Sequence, residues 1–259
     1  MSQISGEMAE NIRHRRVEFL GSPLDLLSMD ETLALVENAI ITRKRLQHVV
    51  VNVAKIVNMQ SDDRLRQDVL DSDLINVDGI GVAWGCSLLG LGKVERVAGI
   101  DLMERVVALC AKNGFQPYIL GAKQEILEKA AENLTALYPG LKFAGLRNGY
   151  FKPDEEAKIV ADIASTRADC LFIAMPSPHK ERFMKAHKDK LGVPFLMGVG
   201  GSVDVFAGYV RRAPLWVQKI GMEWFYRMAQ EPRRLFHRYF SSNLSYVGLL
   251  ASALLKKSK

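Results

Sequence analysis

Residues 48–79, HVVVNVAKIVNMQSDDRLRQDVLDSDLINVDG, contain the pattern that decides the fold. The apolar, β-branched run at 48–53 predicts a strand that is buried on both faces, and the short apolar run at 74–77 predicts a second one. The segment between them, residues 54–70, has a helical pattern. This order predicts two parallel strands, because parallel neighbours need a long crossover connection, which is usually a helix.

The same alternation continues through the first 208 residues. Residues 17–27 predict short strands or a loop, and further strands are predicted at 116–120, 141–146, 170–174 and 195–197, with helical patterns between them. We therefore predict an α/β fold with a mostly parallel, Rossmann-like sheet that is covered by helices on both faces.

The composition changes near Gly208. Residues 209–259 carry ten Lys or Arg side chains against two Glu, and nine of the 21 aromatic side chains, in a chain of net charge +6. We divide the chain into an α/β domain, residues 1–208, and a basic, aromatic-rich helical appendage, residues 209–259. The predicted helices of the appendage are 214–229, 232–241 and 244–255. Such a segment favours a membrane surface or an anionic polymer, and the alternative is an ordinary solvated face packed on the core.

Composition also excludes several classes of protein. Hydrophobic residues make up 48% of the chain and charged residues 25%, as in ordinary globular proteins. Cys86, Cys110 and Cys170 are odd in number and widely spaced, so they suggest neither a disulfide framework nor a zinc site. No apolar run approaches the roughly 18 residues of a membrane span. Residues 1–16 are polar and then basic, so we expect no export signal and a cytoplasmic protein.

Unusual residues follow five of the predicted strands. In a parallel α/β sheet, ligands bind outside the carboxyl ends of the strands. The five clusters there are Asn52, Asp78-Gly79, Gly121-Ala122, Pro176-Ser177-Pro178 with Lys180, and Gly198-Val199-Gly200-Gly201. One Gly after a strand is normally a turn and one Asp is normally a cap, but five clusters at one edge predict a binding site.

Two further motifs are weaker. The glycines at 198–201 resemble part of a dinucleotide fingerprint, but Val203 occupies the third glycine position, which disfavours an NAD enzyme. A glycine loop there still suits a phosphate or a sugar. Asp71-Ser72-Asp73 resembles the metal-binding Asp-x-Asp of many sugar transferases, but it precedes its strand, so we interpret it as a helix terminus or a solvated turn. We expect no metal and no other cofactor.

A series of short segments carries a family resemblance. They are Val51-Asn52, Asn76-Val77-Asp78-Gly79-Ile80-Gly81-Val82, Glu95-Arg96-Val97 through Asp101-Leu102, Tyr118-Ile119-Leu120-Gly121-Ala122, Asn148-Gly149-Tyr150-Phe151, Ser177-Pro178 with Lys180-Glu181, Gly198-Val199-Gly200 through Asp204, and Arg212-Ala213-Pro214 with Glu223-Trp224. Each segment is short, but together their order and spacing over residues 17–240 resemble the WecG/TagA/CpsF family of glycosyltransferases.

The resemblance implies an inverting, metal-independent hexosyltransferase. Family members move a sugar from a UDP-linked donor to a polyprenyl-diphosphate-linked saccharide at the cytoplasmic face of the inner membrane, for an exopolysaccharide or cell-envelope polysaccharide. Asp78 matches the proposed general base, and Arg96 matches an active-site arginine. The candidate substrate-binding residues are Asn52, Tyr150, Lys180, Gly198, Gly200, Asp204, Arg227 and Arg234. The UDP-sugar is a substrate rather than a cofactor, and the sequence is compatible with an oligomer.

Lys180 departs from the pattern of the N-acetylmannosamine-transferring members. They carry Pro-Lys-Gln-Glu where this chain has Pro178-His179-Lys180-Glu181, which resembles the branch that includes the xanthan-pathway glucosyltransferase. Gln both donates and accepts hydrogen bonds, whereas Lys only donates and adds charge. We therefore expect glucose or another hexose, or a uronate or phosphate, in the pocket. The alternatives are N-acetylmannosaminyl or N-acetylmannosaminuronic acid transfer and, for Lys180 itself, an exposed residue in the first turn of a helix.

Purely structural roles also fit the other candidate residues. They are a helix cap for Asp78 or Asp204, a surface ion pair for Arg96, a tie between loops for Asn52, and core packing for Tyr150. A rival function is a nucleic-acid-binding α/β protein that places its basic appendage on phosphates. The uncharged run 244–255, followed by two lysines, suits a membrane surface better, so we expect no nucleic-acid partner.

Overall fold

A computed structural model describes residues 15–92 and 94–257, apart from the side chains of Arg234, His237 and Arg238. An antiparallel hairpin comes first and is followed by the strands of one parallel sheet. The strands are β1 (Arg16–Phe19), β2 (Ser22–Asp25), β3 (Leu46–Val51), β4 (Leu74–Val77), β5 (Pro117–Gly121), β6 (Gly145–Arg147), β7 (Cys170–Ala174) and β8 (Phe195–Gly198).

Helices connect the strands and extend beyond the last one. They are α1 (Met29–Ile41), α2 (Val53–Met59), α3 (Asp63–Leu70), α4 (Ile80–Leu88), α5 (Gly99–Asn113), α6 (Gln124–Leu137), α7 (Glu156–Thr166), α8 (His179–His187), α9 (Ser202–Phe206), α10 (Leu215–Lys219), α11 (Glu223–Gln230) and α12 (Pro232–Lys257). A short 3-10 turn, Pro153–Glu155, precedes α7.

The sheet has the strand order β4-β3-β8-β7-β5-β6, and every pairing in it is parallel. Successive strand residues face opposite sides. On β3, Val49 and Val51 therefore pack with α2 and α3, whereas Phe195 of β8 packs on the other side with α5 and α6. The predicted α/β sheet with helices on both faces is confirmed.

The helices differ from the prediction at three places. The single helix predicted at 54–70 is two helices, because Asp62 accepts a hydrogen bond from the Leu65 amide (2.9 Å) and caps a new helix there. The helix predicted at 214–229 is interrupted at Gly221, which has a left-handed φ of +76°.

The two helices predicted at 232–241 and 244–255 are one continuous helix, α12. Ser242 and Asn243 favour helices weakly, but burial of the neighbouring Tyr246 outweighs that preference. The Tyr246 hydroxyl donates to the Gly81 carbonyl (2.8 Å), and a Cβ at Gly85 would lie 2.4 Å from the same hydroxyl. Glycine therefore allows α12 to approach α4 closely.

Tyr246 belongs to the main hydrophobic core, and Leu249 and Leu250 pack against it, so this part of the last helix packs against the α/β domain. Lys257 near its end donates to the Leu89 carbonyl (2.6 Å). The division of the chain at Gly208 stays a prediction from the change in composition. Within residues 15–92 and 94–257, no helix is both long enough and apolar enough to span a membrane.

Candidate active site

The parallel sheet brings the five predicted clusters to one edge, because the carboxyl ends of all six strands point the same way. Asn52 follows β3, Asp78 follows β4, Ala122 follows β5, Lys180 lies at the start of α8 after β7, and the glycine loop follows β8. The strands β4, β3, β8 and β7 are adjacent, so four of these clusters form a continuous row.

Asp78 lies at the amino terminus of α5. Its Oδ1 accepts a hydrogen bond from the Gly99 amide (3.1 Å), so the predicted structural role as a helix cap is observed. The side chain is also partly buried, and this burial raises the pKa of Asp78, while Arg96 and the Gly99 amide act in the opposite direction. A partly buried carboxylate with a raised pKa is suited to accept a proton, so the cap and the general base are compatible roles.

Asn52 lies directly beside Asp78-Gly79. Its carboxamide oxygen accepts from the Lys55 amide (3.0 Å) and caps α2, and a Cβ at Gly79 would lie 3.3 Å from the Asn52 Cβ. The structure therefore shows a helix cap rather than a tie between loops. Because the side-chain oxygen of Asn52 caps α2, a ligand at this position would contact the side-chain nitrogen of Asn52.

Arg96 is placed beside Asp78 by a backbone contact. The Val97 amide donates to the Val77 carbonyl (2.8 Å), so the residues before α5 run along the end of β4. The Arg96 guanidinium forms an ion pair with Glu223 (2.6 Å) and donates from Nη1 to the Gln218 carbonyl (3.5 Å). The ion pair expected for this residue exists, but it is partly buried and lies at the site.

Lys180 packs against the glycine loop. Its side chain is only 12% exposed, its Nζ donates to the Gly198 carbonyl (3.5 Å), and a Cβ at Gly198 would lie 2.9 Å from its Cδ. The alternative of an exposed lysine is therefore wrong. Gly200, with a φ of +52°, turns the loop around the ammonium group.

A buried ion pair that the sequence analysis missed lies behind Lys180. The Lys55 ammonium is 2.7 Å from Glu181 Oε1, and both side chains are almost completely buried. Burial alone raises the pKa of Glu181, but Lys55 and Lys180 outweigh it and lower the pKa to about 2. The one available signal was a lysine within the apolar stretch VAKIV at residues 53–57.

Arg227 of α11 reaches the glycine loop from the C-terminal segment. Its Nη2 donates to the Gly201 carbonyl (3.5 Å). A Cβ at Gly201 would lie 2.5 Å from that nitrogen and 3.3 Å from an Asp204 carboxylate oxygen. Asp204 lies in the first turn of α9, but the N-cap of this helix is Gly201 and no side chain among the described residues caps it, so the alternative role of Asp204 as a helix cap is not observed. The side chain of Arg234 lies outside the described residues, so its role stays a prediction.

Tyr150 is not brought to Asp78. It follows β6, the outermost strand on the side of the sheet away from β4, and its amide donates to the Asn148 side chain (3.1 Å). Its ring is largely exposed, so core packing is wrong for this residue. A role in binding a distant part of a large substrate stays a prediction.

Asp71-Ser72-Asp73 lies at the opposite, amino-terminal edge of the sheet. Asp71 ends α3 and pairs with Lys185 (2.8 Å), while an Asp73 oxygen accepts from the Gln47 amide (2.9 Å). The interpretation as a helix terminus is confirmed. In the part of the chain that the structure describes, no three His, Cys, Asp or Glu side chains are grouped to hold a metal ion.

Comparison with known proteins identifies the class of enzyme. Residues 17–259 match the sequence profile of the glycosyl transferase WecG/TagA/CpsF family. The chain belongs to this family and is a glycosyltransferase.

A relative in Bacillus subtilis (strain 168) is N-acetylglucosaminyldiphosphoundecaprenol N-acetyl-beta-D-mannosaminyltransferase. It is 33% identical to this chain over 173 residues, which are 66% of this chain and 67% of that protein. The family prediction is confirmed, whereas the xanthan-pathway branch stays a prediction.

Proposed function

We propose that this protein transfers a sugar from a UDP-linked donor to a polyprenyl-diphosphate-linked saccharide, with inversion at the anomeric carbon. The name of the Bacillus relative supports the acceptor class, because that enzyme acts on a sugar linked to undecaprenyl diphosphate. The observation that carries the chemistry is the Asp78 carboxylate, which has a raised pKa and lies beside Arg96 at the carboxyl edge of the sheet.

Asp78 is the general base of the proposed reaction. The acceptor hydroxyl attacks the anomeric carbon and transfers its proton to the carboxylate, and the bond from that carbon to the UDP oxygen breaks. Burial raises the pKa of Asp78 and so makes the carboxylate a stronger base than an exposed Asp. The hydrogen bond from Gly99 fixes one carboxylate oxygen, so the base keeps a defined orientation.

Positive groups around the glycine loop offset the charge of the departing UDP. Arg227 and Lys180 each donate to a carbonyl of this loop, while Arg96 lies beside the base. Cationic donors held in place stabilise a developing diphosphate charge without reorganisation. We propose that these side chains, rather than a metal ion, serve the leaving group, and transfer that persists in EDTA would support this.

We propose UDP-N-acetylmannosamine as the first candidate donor, because the Bacillus relative is named as an N-acetyl-beta-D-mannosaminyltransferase. The second candidate is a UDP-hexose or UDP-uronate. Lys180 favours it, because its ammonium group lies at the glycine loop, at the position where the N-acetylmannosamine-transferring members are expected to carry a Gln. The two candidates differ in the acetamido group, which needs a hydrogen-bond acceptor that Lys cannot supply.

A panel of UDP-sugars with a lipid-linked N-acetylglucosamine acceptor tests the proposal by the release of UDP. We expect the fastest release from UDP-N-acetylmannosamine. Lys180→Gln should raise the ratio of kcat/KM for this donor over that for UDP-glucose by about tenfold, which is one hydrogen bond of about 1.4 kcal/mol. Release of UDP from no donor would contradict the function, and an unchanged ratio would contradict the role of Lys180.

We also propose that the enzyme binds peripherally to the cytoplasmic face of the inner membrane through α12. Phe236, Phe240, Leu244 and Val247 are all exposed and lie on one face of this helix, at spacings of four, four and three residues. Basic residues flank this stripe along the C-terminal segment, and each contributes about 1 kcal/mol near an anionic surface. The arrangement suits a helix that lies in the interface of a bilayer.

The double variant Phe240→Ser/Leu244→Ser tests this surface. Both side chains are more than 60% exposed, so the free energy of unfolding should fall by about 1 kcal/mol or less, mainly because Phe240 loses its stacking on Phe236 (ring centroids 5.9 Å apart). Removing two apolar groups from the interface should weaken binding to vesicles that contain anionic phospholipid by about tenfold or more. Leu137→Ser, at an equally exposed position on α6, is the control. Vesicle co-sedimentation that does not change, or equal retention on single-stranded DNA, would contradict the membrane role.

A further inference from the structure

Four charged side chains connect the C-terminal segment to the candidate active site. Glu223, at the start of α11, lies 2.6 Å from Arg96 through one carboxylate oxygen and 3.4 Å from Arg212 through the other. Arg212 also pairs with Asp101 (2.5 Å), which lies in the first turn of α5. The carboxylate of Glu223 therefore bridges two arginines from different parts of the chain.

These contacts fix the direction of the Arg96 side chain. The Glu223 oxygen is at charge-assisted hydrogen-bond distance from Nη2, and the Gln218 carbonyl accepts from Nη1. Both partners belong to the segment around α10 and α11, 122 and 127 residues further along the chain. Arg96 and Glu223 are mostly buried, so solvent screens the pair less than it screens an exposed one.

We propose that Glu223 is a positioning residue, which holds the guanidinium of Arg96 beside Asp78 for the transfer step. The inference rests on the proposed function, because it assigns Glu223 a part in the transfer step. Glu223 acts through Arg96, and no contact between Glu223 and the substrate is required. A displacement of Arg96 by about 1 Å can lower the rate of a positioned reaction by about 100-fold.

The charges that face Asp78 allow the effect of the position of Arg96 to be distinguished from the effect of the charge of Glu223. They come from three elements: Arg96 before α5, Glu223 on α11 and Lys180 on α8. Arg96 and Lys180 lower the pKa of Asp78 and Glu223 raises it, and the influence of Arg96 is larger than that of Glu223. Losing only the negative charge of Glu223 should therefore lower this pKa, whereas losing the position of Arg96 as well should raise it.

Two substitutions use this difference. Glu223→Ala removes both the charge and the hydrogen-bond acceptor, so we expect kcat/KM to fall by about 10- to 100-fold and the acid limb of its pH profile to move to higher pH. Glu223→Gln keeps an oxygen that can accept from Arg96, so we expect kcat/KM within about fivefold of wild type and an acid limb at lower pH. If Glu223 acted only in folding, the acid limbs of the Glu223→Ala and Glu223→Gln profiles would not move in opposite directions.

Limited proteolysis supplies a readout that needs no substrate. In Glu223→Ala, cleavage between residues 209 and 231 should be faster than in wild type, because the segment loses its ion pair with Arg96. Glu132→Ala is the control, since it removes a carboxylate from an exposed pair with Lys129 (2.8 Å), and it should change neither the pH profile nor the cleavage.

The outcomes separate this inference from the proposed function. A wild-type protein that releases UDP from no UDP-sugar contradicts the proposed function. Even then, faster cleavage of the Glu223→Ala variant than of wild type would show that Glu223 holds the C-terminal segment in place. An active wild-type protein, together with a Glu223→Ala variant of unchanged kcat/KM and unchanged acid limb, overturns the positioning role alone.

Discussion

Asp78→Asn should lower kcat for sugar transfer by about 100-fold or more and leave the affinity for UDP unchanged. The carboxamide keeps the shape of the side chain and an oxygen that can accept from the Gly99 amide, so α5 keeps its cap. It cannot take a proton from the acceptor hydroxyl. The variant should also be no less stable than wild type, because the raised pKa of Asp78 means that the fold disfavours its ionised form.

The pH dependence supplies a second measure of the same residue. The base must be ionised to act, so wild-type kcat/KM should fall as the pH falls through the raised pKa of Asp78, at higher pH than for an exposed Asp. The residual activity of Asp78→Asn should lack this limb.

The measurements are steady-state kinetics of UDP release and calorimetric titration with UDP. Asp189→Asn, at an exposed position that pairs with Arg45, is the control and should behave as wild type. Turnover of Asp78→Asn at the wild-type rate would show that another group is the base.

Lys55→Met should reduce the free energy of unfolding by about 3 kcal/mol or more. The substitution keeps most of the volume of the lysine but leaves the buried Glu181 carboxylate without its nearest cation, and breaking a buried ion pair in this way typically costs about 3–5 kcal/mol. The double variant Lys55→Met/Glu181→Met removes both charges, so most of the lost stability should return. Urea denaturation of the three proteins measures both effects.

The pair also predicts how stability depends on pH. The pKa of Glu181 is lowered from 4.5 to about 2, so its contribution to stability is complete above about pH 4.5 and is lost as the pH falls towards 2. The double variant should lack this dependence. If Lys55→Met is as stable as wild type, or if the double variant is as unstable as the single one, the buried pair does not have this role.

The double variant also separates folding from activity. Because Lys180 lies 4.0 Å from Glu181, its ammonium group loses a neighbouring charge when Glu181 becomes Met. We therefore expect a protein that folds but whose donor preference resembles that of Lys180→Gln more than that of wild type. Measurement of kcat/KM for two UDP-sugars on this protein checks the expectation.

The sequence by itself determined the α/β class and the edge of the sheet at which the site lies. Apolar runs of strand length alternate with helical periods, and four of these runs lead directly into Asn52, Asp78, Gly121 or Gly198. These features are local, because a strand's burial and the residue after its end lie within a few positions of each other. In a parallel sheet all carboxyl ends share one edge, so local information was sufficient to group these residues.

Only the tertiary structure decided which charges meet at that edge. Lys55 and Glu181 are 126 residues apart, and Arg96 and Glu223 are 127 apart, so no periodic pattern links them. The strand order β4-β3-β8-β7-β5-β6 separates Tyr150 from Asp78 and joins β3 to β8. Burial of Tyr246 likewise keeps α12 continuous through Ser242 and Asn243. The physical reason is that burial and ion pairing act between elements that only the packed chain brings into contact, whereas local preferences extend over one turn or one strand.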